Sequence, residues 1–366
     1  MDAPQRVMDS KYIEWAKVRS HAKFNLASSG IVSYGLRELG VTLDDIELSG
    51  PSFYGYEPLQ HALAAKAGVP VECVVAAVGT SLANHLAMAA LVQPGDEVLI
   101  EQPAYEPLVS LASYLGARIR RFPRRFECGF SLDPAEIERQ AGPDSRLIVI
   151  TNLHNPSSVL TPDAVLRQVG DLARSLGARV LVDEVYLEAV CVQSPRLPSR
   201  SAFHLGNEFV VTGSLTKAYG LSGLRCGWIL AEPALAHRIW RLHDIFEVIP
   251  SHSSERLSVI ALKRLVQVAV RARALVEANR PLVNRFLDER DDLECVRPDY
   301  GTVVFPRLTS GKVDQLCALL REKFETTVVP GGFFDMPDHF RLGLGGDTDM
   351  LAAGLARLGQ ALDQLR

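Results

Sequence analysis

Ser214, Lys217 and Arg225 lie close together in the stretch Phe209-Val210-Val211-Thr212-Gly213-Ser214-Leu215-Thr216-Lys217, which continues through Gly223-Leu224-Arg225-Cys226-Gly227-Trp228. The apolar run from Phe209 to Val211 reads as a buried strand that breaks at Gly213. A lysine just past a buried strand is partly withdrawn from water, which favours its neutral, nucleophilic form. A serine and an arginine on either side of it suit a phosphate dianion. The stretch thus offers an amine that can form an imine and two groups that can hold a phosphate. A solvated loop lysine and an arginine paired with a carboxylate would give the same pattern, since a short motif such as Ser-x-x-Lys often matches by accident. The residues that weigh against that reading lie elsewhere in the chain.

Asp183 closes the run Val180-Leu181-Val182 and is expected to be buried. A buried carboxylate is costly unless paired, so it needs an arginine of the protein or a cationic group of a ligand. A protonated pyridine nitrogen is such a group: an aspartate beside it keeps the ring cationic and able to accept electrons from a substrate carbanion. Asn155 and Tyr186 carry donors for the 3′ oxygen of that ring, and the ring of Tyr105, after Pro103, suits a pyridine face. Singly, these are an ordinary Asn-Pro turn, a core tyrosine and a surface tyrosine. Gly79-Thr80-Ser81 ends a strand and opens a helix, where unpaired amides and the positive end of the helix dipole favour an anion. An imine-forming lysine, a phosphate site and a carboxylate for a ring nitrogen are what pyridoxal 5′-phosphate (PLP) requires.

The elements that must position these residues alternate. Strands are expected at Val74–Val78, Glu97–Ile100, Ala117–Arg121, Leu147–Thr151, Arg179–Val182 and Phe209–Thr212, with helices between most of them. Such alternation implies a mainly parallel sheet covered by helices, with ligands beyond the carboxyl ends of the strands. The polar residues fall at those ends. Residues 1–45 read as peripheral, with a short helix at Tyr12–Val18 and a polar turn from Asn25 to Gly30 that serves either as a connector or as a cover over an active site. Beyond Trp228, a long helix from about Arg256 to Arg290 links to short strands, among them Phe340-Arg341-Leu342-Gly343-Leu344, and to a last amphipathic helix. The expected division is a large domain over 46–270 and a smaller α+β domain from 1–45 and 271–366.

Composition narrows the class. At 366 residues, 47% hydrophobic and 22% charged, the chain is globular and can bury a large core. A net charge of −4 gives no reason to expect a nucleic-acid partner. The six cysteines are scattered without a C-x-x-C pair, against a zinc site or a disulfide framework and in keeping with a reducing compartment. Neither a signal-peptide core nor a membrane-length apolar stretch stands out, so a soluble cytoplasmic protein is expected.

Asn155-Pro156, Asp183-x-x-Tyr186, Ser214-x-x-Lys217 and Gly223-x-Arg225-x-Gly227 occur in the order and spacing of class I/II aminotransferases, and the chain resembles that family. Gly55-x-x-x-Leu59, Gly79-Thr80-Ser81, Pro103-x-Tyr105, Pro330-Gly331 and Phe340-Arg341 extend the resemblance over nearly all of the chain after residue 45. It implies the PLP-dependent transferase fold of type I, with an α/β sheet sandwiched by helices and a smaller α+β domain. It also implies a homodimer with active sites at the subunit interface. By the same resemblance Lys217 carries the cofactor and then shuttles a proton, Asp183 pairs with the pyridinium, and Asn155 and Tyr186 hold the 3′ oxygen. Thr80, Ser81, Ser214 and Arg225 hold the phosphate, Tyr105 covers the ring, and Tyr54 reaches the phosphate of the neighbouring subunit. Arg341 grips the substrate α-carboxylate, with Asn155 and Gly30 beside it.

The implied reaction moves an amino group between an amino acid and a 2-oxo acid by a ping-pong mechanism. A lyase or cyclase on the same scaffold, of the aminocyclopropane-carboxylate-synthase type, and a histidinol-phosphate-type aminotransferase are the alternatives. Some positions depart from the family pattern. Ser157 and Ser158 follow Asn155-Pro156 where glycine is common, and Tyr54 directly precedes Gly55 where the family tyrosine sits further upstream. Ser81 stands where some aspartate aminotransferases carry a lysine, which argues against a dicarboxylate specialist. The Asn-Glu-x-Pro segment typical of histidinol-phosphate aminotransferases is absent.

Overall fold

The computed structural model describes residues 7–194 and 200–365. Seven strands form the main sheet: β1 (Val74–Val78), β2 (Glu97–Gln102), β3 (Arg118–Pro123), β4 (Ser145–Thr151), β5 (Arg179–Asp183), β6 (Phe209–Ser214) and β7 (Cys226–Leu230). Their spatial order is β1-β7-β6-β5-β4-β2-β3. All neighbours pair in parallel except β7, which is antiparallel to both β1 and β6.

The central strands are apolar on both faces because helices cover both. Ile148, Ile150, Val180, Val182, Phe209 and Val211 point to one side, where they pack with Leu166, Val169 and Ala173 of helix Asp163–Leu176. Leu147, Val149, Leu181 and Val210 point to the other, against Leu86, Ala87 and Met88 of helix Gly79–Leu91 and against Leu235 and Ile239 of helix Pro233–Arg241. This is the two-residue alternation of a strand read on a sheet with two dry faces.

Register decides what the sheet delivers. Thr151, Asp183 and Thr212 stand opposite one another across β4, β5 and β6, and Ser214 pairs with Gly227 on β7. Because β7 runs backwards, its first residues meet the carboxyl ends of β1 and β6: Val78 pairs with Cys226. Arg225, just before β7, is therefore carried to the same edge as Gly79-Thr80-Ser81.

Two expectations need correction. The long helix is two helices, His252–Lys263 and Leu265–Asp288, broken at Arg264. Arg264 leaves helical geometry there, and its guanidinium hydrogen-bonds the carbonyl of Leu39. The segment 25–30 is not a peripheral connector but, as its other reading has it, lies against the cavity that Lys217 lines. Phe24–Asn25 pairs in parallel with Thr326–Thr327, and Leu26, Ala27, Ser29 and Ile31 are buried. Local composition misleads here because backbone pairing and burial come from strands some three hundred residues away. A small antiparallel sheet, ordered Val303–Val304, Phe340–Gly343, Val329–Pro330, carries Arg341. No helix among the described residues is long and apolar enough to cross a membrane.

Candidate active site

At the carboxyl edge of the sheet one cavity is lined by Thr80 and Ser81, Tyr105, Asn155, Asp183 and Tyr186, and Ser214, Lys217 and Arg225. Sequence reasoning had singled out all nine, and the fold brings them together. Tyr12, Ile13 and Ala16 of helix Lys11–Val18 close another side.

Asp183 is 2% exposed. Its Oδ2 accepts a hydrogen bond from Asn84 Nδ2 at 2.8 Å and its Oδ1 one from the Val185 amide at 3.0 Å. No salt bridge reaches it among the described residues. Burial raises its pKa to about 6, against the pull of the two hydrogen bonds and of Lys217. The arginine that a structural role would require is absent from its surroundings, and a cationic ring nitrogen would satisfy the carboxylate.

Helix Gly79–Leu91 starts at Gly79 with φ +74°, and a Cβ there would lie 2.2 Å from Arg225 Nη2. Only a glycine lets the guanidinium sit against the helix N-terminus. Thr80 Oγ1 is buried without a hydrogen-bond partner in the first turn, and Ser214 is fully buried opposite. Arg225 makes no salt bridge to a carboxylate among the described residues; its hydrogen bonds are long contacts to the carbonyls of Ser222 and Val78. Unpaired amides, an unpartnered hydroxyl and an exposed guanidinium converge, which is a fit for a phosphate.

Lys217 donates from Nζ to Ser29 Oγ at 2.9 Å. Burial holds its pKa below the usual lysine value, with the Arg341 and Arg225 charges adding to the effect. Gly30 does not line the cavity but packs against the backbone of Lys217. Tyr186 is buried, which raises its pKa. The Tyr105 ring meets the Tyr12 ring edge-on at 5.8 Å.

Arg341 is 1% exposed and has no carboxylate partner among the described residues. Its Nη1 donates to Asn155 Oδ1 at 3.0 Å and its Nη2 to the Tyr12 hydroxyl at 2.7 Å, while Nε has no partner. Both partners are neutral, so the guanidinium charge is not neutralised by the protein. With Oδ1 of Asn155 taken up by Arg341, its Nδ2 remains to donate toward the cavity.

Tyr54 of this chain lies outside the cavity. It is partly exposed, packs edge-on against Trp240 at 5.2 Å with the Arg241 guanidinium over its ring, and lines a neighbouring cavity on the other side of Arg225.

Sequence reasoning missed Tyr12, Ser29 and Asn84. Asn84 links two strands: Thr212 Oγ1 donates to its Oδ1 at 2.6 Å while its Nδ2 donates to Asp183. Its signal was a lone amide among the apolar residues of Leu82-Ala83-Asn84-His85-Leu86-Ala87. Thr151 supports Asn155 in turn, its hydroxyl accepting from the Asn155 amide at 2.9 Å and donating to Glu101 at 2.6 Å. Glu101 is held by the buried Arg124 at 2.9 Å.

Residues 46–358 match the family described as aminotransferase class I and II. Capreomycidine synthase from Streptomyces vinaceus is 31% identical over 374 residues, 98% of this chain and 95% of that protein. Arginine–pyruvate transaminase from Pseudomonas aeruginosa is 28% identical over 284 residues, 75% of this chain and 71% of that protein. Among solved structures, a PLP-dependent aminotransferase from Streptococcus suis matches the fold with a TM-score of 0.91 at 24% identity, covering 99% of each chain. The match over most of the chain, on a sheet edge that offers a lysine, an exposed arginine beside a helix N-terminus and a carboxylate without a salt bridge, places this protein in the class I and II aminotransferase family, with PLP as its cofactor.

Proposed function

We propose that the protein transfers the amino group of an amino acid to a 2-oxo acid in two half-reactions at this one site. The observation that carries the reading is Lys217 lining the cavity, with the buried Arg341 bonded to two other lining residues, Asn155 and Tyr12, and paired with no carboxylate among the described residues. One is suited to capture a carbonyl and the other an α-carboxylate, the two handles that amino acids and 2-oxo acids offer.

Bound here, PLP supplies a carbonyl for amine exchange and a ring that draws electrons from the substrate Cα. Asp183 would keep the ring nitrogen protonated, and Asn155 and Tyr186 would hold the ring oxygen. The first amides of helix Gly79–Leu91, with Thr80, Ser81, Ser214 and Arg225, would hold the phosphate, and Tyr105 would lie at the ring face. Lys217 has its proton affinity reduced by burial and by two arginines, so at neutral pH its amine is closer to the point where it both takes and returns a proton at the substrate Cα. Arg341 would take the substrate carboxylate in a two-bond fork, its unpartnered Nε included. Because Arg341 also fixes the Asn155 amide, carboxylate capture and the hold on the ring oxygen share one side chain. Helix Lys11–Val18 roofs the site through Tyr12, Ile13 and Ala16 and limits access of water. A homodimer in which Tyr54 reaches the neighbouring subunit's phosphate site, and a cytoplasmic location, belong to the same reading.

A second reading, cyclisation or elimination on the same scaffold, is favoured by the identity to capreomycidine synthase, which extends over 98% of this chain. Incubation with single amino acids, followed by absorbance, separates the two. Stoichiometric conversion of the cofactor to pyridoxamine phosphate is the result expected for transamination. Release of a product with PLP regenerated would overturn it in favour of the second reading.

A further inference from the structure

Ser29 has no part in the roles assigned so far, yet it touches the lysine that carries the central one. It is 8% exposed, its Oγ accepts from Lys217 Nζ at 2.9 Å, and it lines the same cavity as Tyr186. The backbone around it is held on two sides. The Ser29 carbonyl accepts from Thr302 Oγ1 at 2.7 Å, and the Ile31 amide donates to the Lys217 carbonyl at 2.8 Å. Between them, a Cβ on Gly30 would come 3.3 Å from Lys217 Cα, so a side chain there would crowd the lysine. A hydroxyl accepts and donates through one oxygen. Ser29 can therefore take an N–H from Lys217 and still keep its own O–H to donate.

We infer that Ser29 is a positioning residue that orients the Lys217 amine toward the cavity. The inference rests on the reading of Lys217 as the cofactor lysine. An amine is free to rotate about Cε–Nζ; an acceptor fixed to one N–H determines where the other two positions point. The same hydrogen bond is stronger to the ammonium than to the neutral amine. It thus favours the proton on Lys217, in the same direction as Tyr12 and Asp183 and against burial, Arg341 and Arg225, the other groups that face it.

The test uses the full-length protein, freed of cofactor by dialysis against a competing amine, with recombination with PLP followed by absorbance across a pH series. Recombination needs the neutral amine, so in Ser29→Ala its midpoint moves to lower pH than in the wild type. On the reloaded enzyme kcat falls roughly tenfold, the worth of one charge-assisted hydrogen bond, while KM for the amino acid stays within about twofold. Ser29→Thr, which keeps the hydroxyl, restores the midpoint. An unchanged midpoint in Ser29→Ala overturns the inference whether or not turnover falls, because a structural role alone would not move it. Lys217→Ala is run alongside: if that variant still forms the bound chromophore, the assignment of the lysine fails, and with it the basis of the inference. If it loses the chromophore and Ser29→Ala titrates as wild type, only the role of Ser29 fails.

Discussion

Asp183→Asn tests whether the carboxylate waits for a cation that the protein does not supply. In the fold its pKa stands at about 6 against an ordinary value of 3.8, raised by burial. The difference corresponds to about 3 kcal/mol at 1.36 kcal/mol for each tenfold change in proton affinity. The folded carboxylate holds its proton more tightly than the unfolded one, so between about pH 4 and pH 6 the folded chain carries more protons. Stability conferred by the protonated group is therefore fully present below the unfolded pKa and is lost as pH rises through the folded pKa. Urea unfolding of cofactor-free protein, followed by tryptophan fluorescence at pH 4 and pH 7.5, should show the wild type losing about 2.5 kcal/mol relative to Asp183→Asn across that range, most of the full difference. The comparison cancels every other titrating group common to both proteins. Adding PLP at pH 7.5 should then stabilise the wild type more than the variant, since the ring nitrogen supplies the missing cation, and the variant should bind cofactor but turn over about 100-fold more slowly or worse. Parallel pH dependences for the two cofactor-free proteins would refute the reasoning. They would mean that Asp183 is already neutralised within the protein and that its place beside the ring has no electrostatic demand behind it.

Arg341→Lys should raise KM for amino acid and oxo acid alike, by roughly tenfold or more, because a lysine cannot form the planar fork, while the absorbance of bound PLP stays unchanged; steady-state kinetics on both substrates check this. Gly79→Ala should weaken PLP binding by roughly tenfold, since the added methyl would displace Arg225 Nη2 from 2.2 Å and the φ of +74° strains an L residue, and titration of cofactor-free protein by absorbance measures it. Arg124→Met should lower stability by about 3–5 kcal/mol in denaturant unfolding, because it strands the fully buried Glu101 that supports Thr151 and, through it, Asn155.

The chemistry-bearing residues of β4, β5 and β6 were legible in the sequence for a physical reason. A strand buried on both faces must be apolar throughout, so the first polar residues after it mark the sheet's carboxyl edge. Asn155, Asp183, Ser214 and Lys217 all stand there. The parallel sheet itself followed from the alternation of short apolar runs with helices. What the local sequence held back is equally specific. Tyr12 meets Arg341 across 329 residues, Ser29 meets Lys217 across 188, and Asn84 meets Asp183 across 99. In their own neighbourhoods these are a tyrosine on an amphipathic helix, a serine in what reads as a polar turn, and one amide in an alanine-rich helix. Nothing in the spacing of a helix or turn states which distant side chain its polar atom will satisfy. That is decided when the antiparallel β7 brings Arg225 to the edge of β1, when Phe24–Asn25 pairs with Thr326–Thr327, and when the small sheet carries Arg341 over Asn155. The sequence by itself determined which polar groups stand together and on which edge. Only tertiary packing decided which neutral groups orient them, because a buried donor or acceptor takes whatever partner the fold brings within three ångströms.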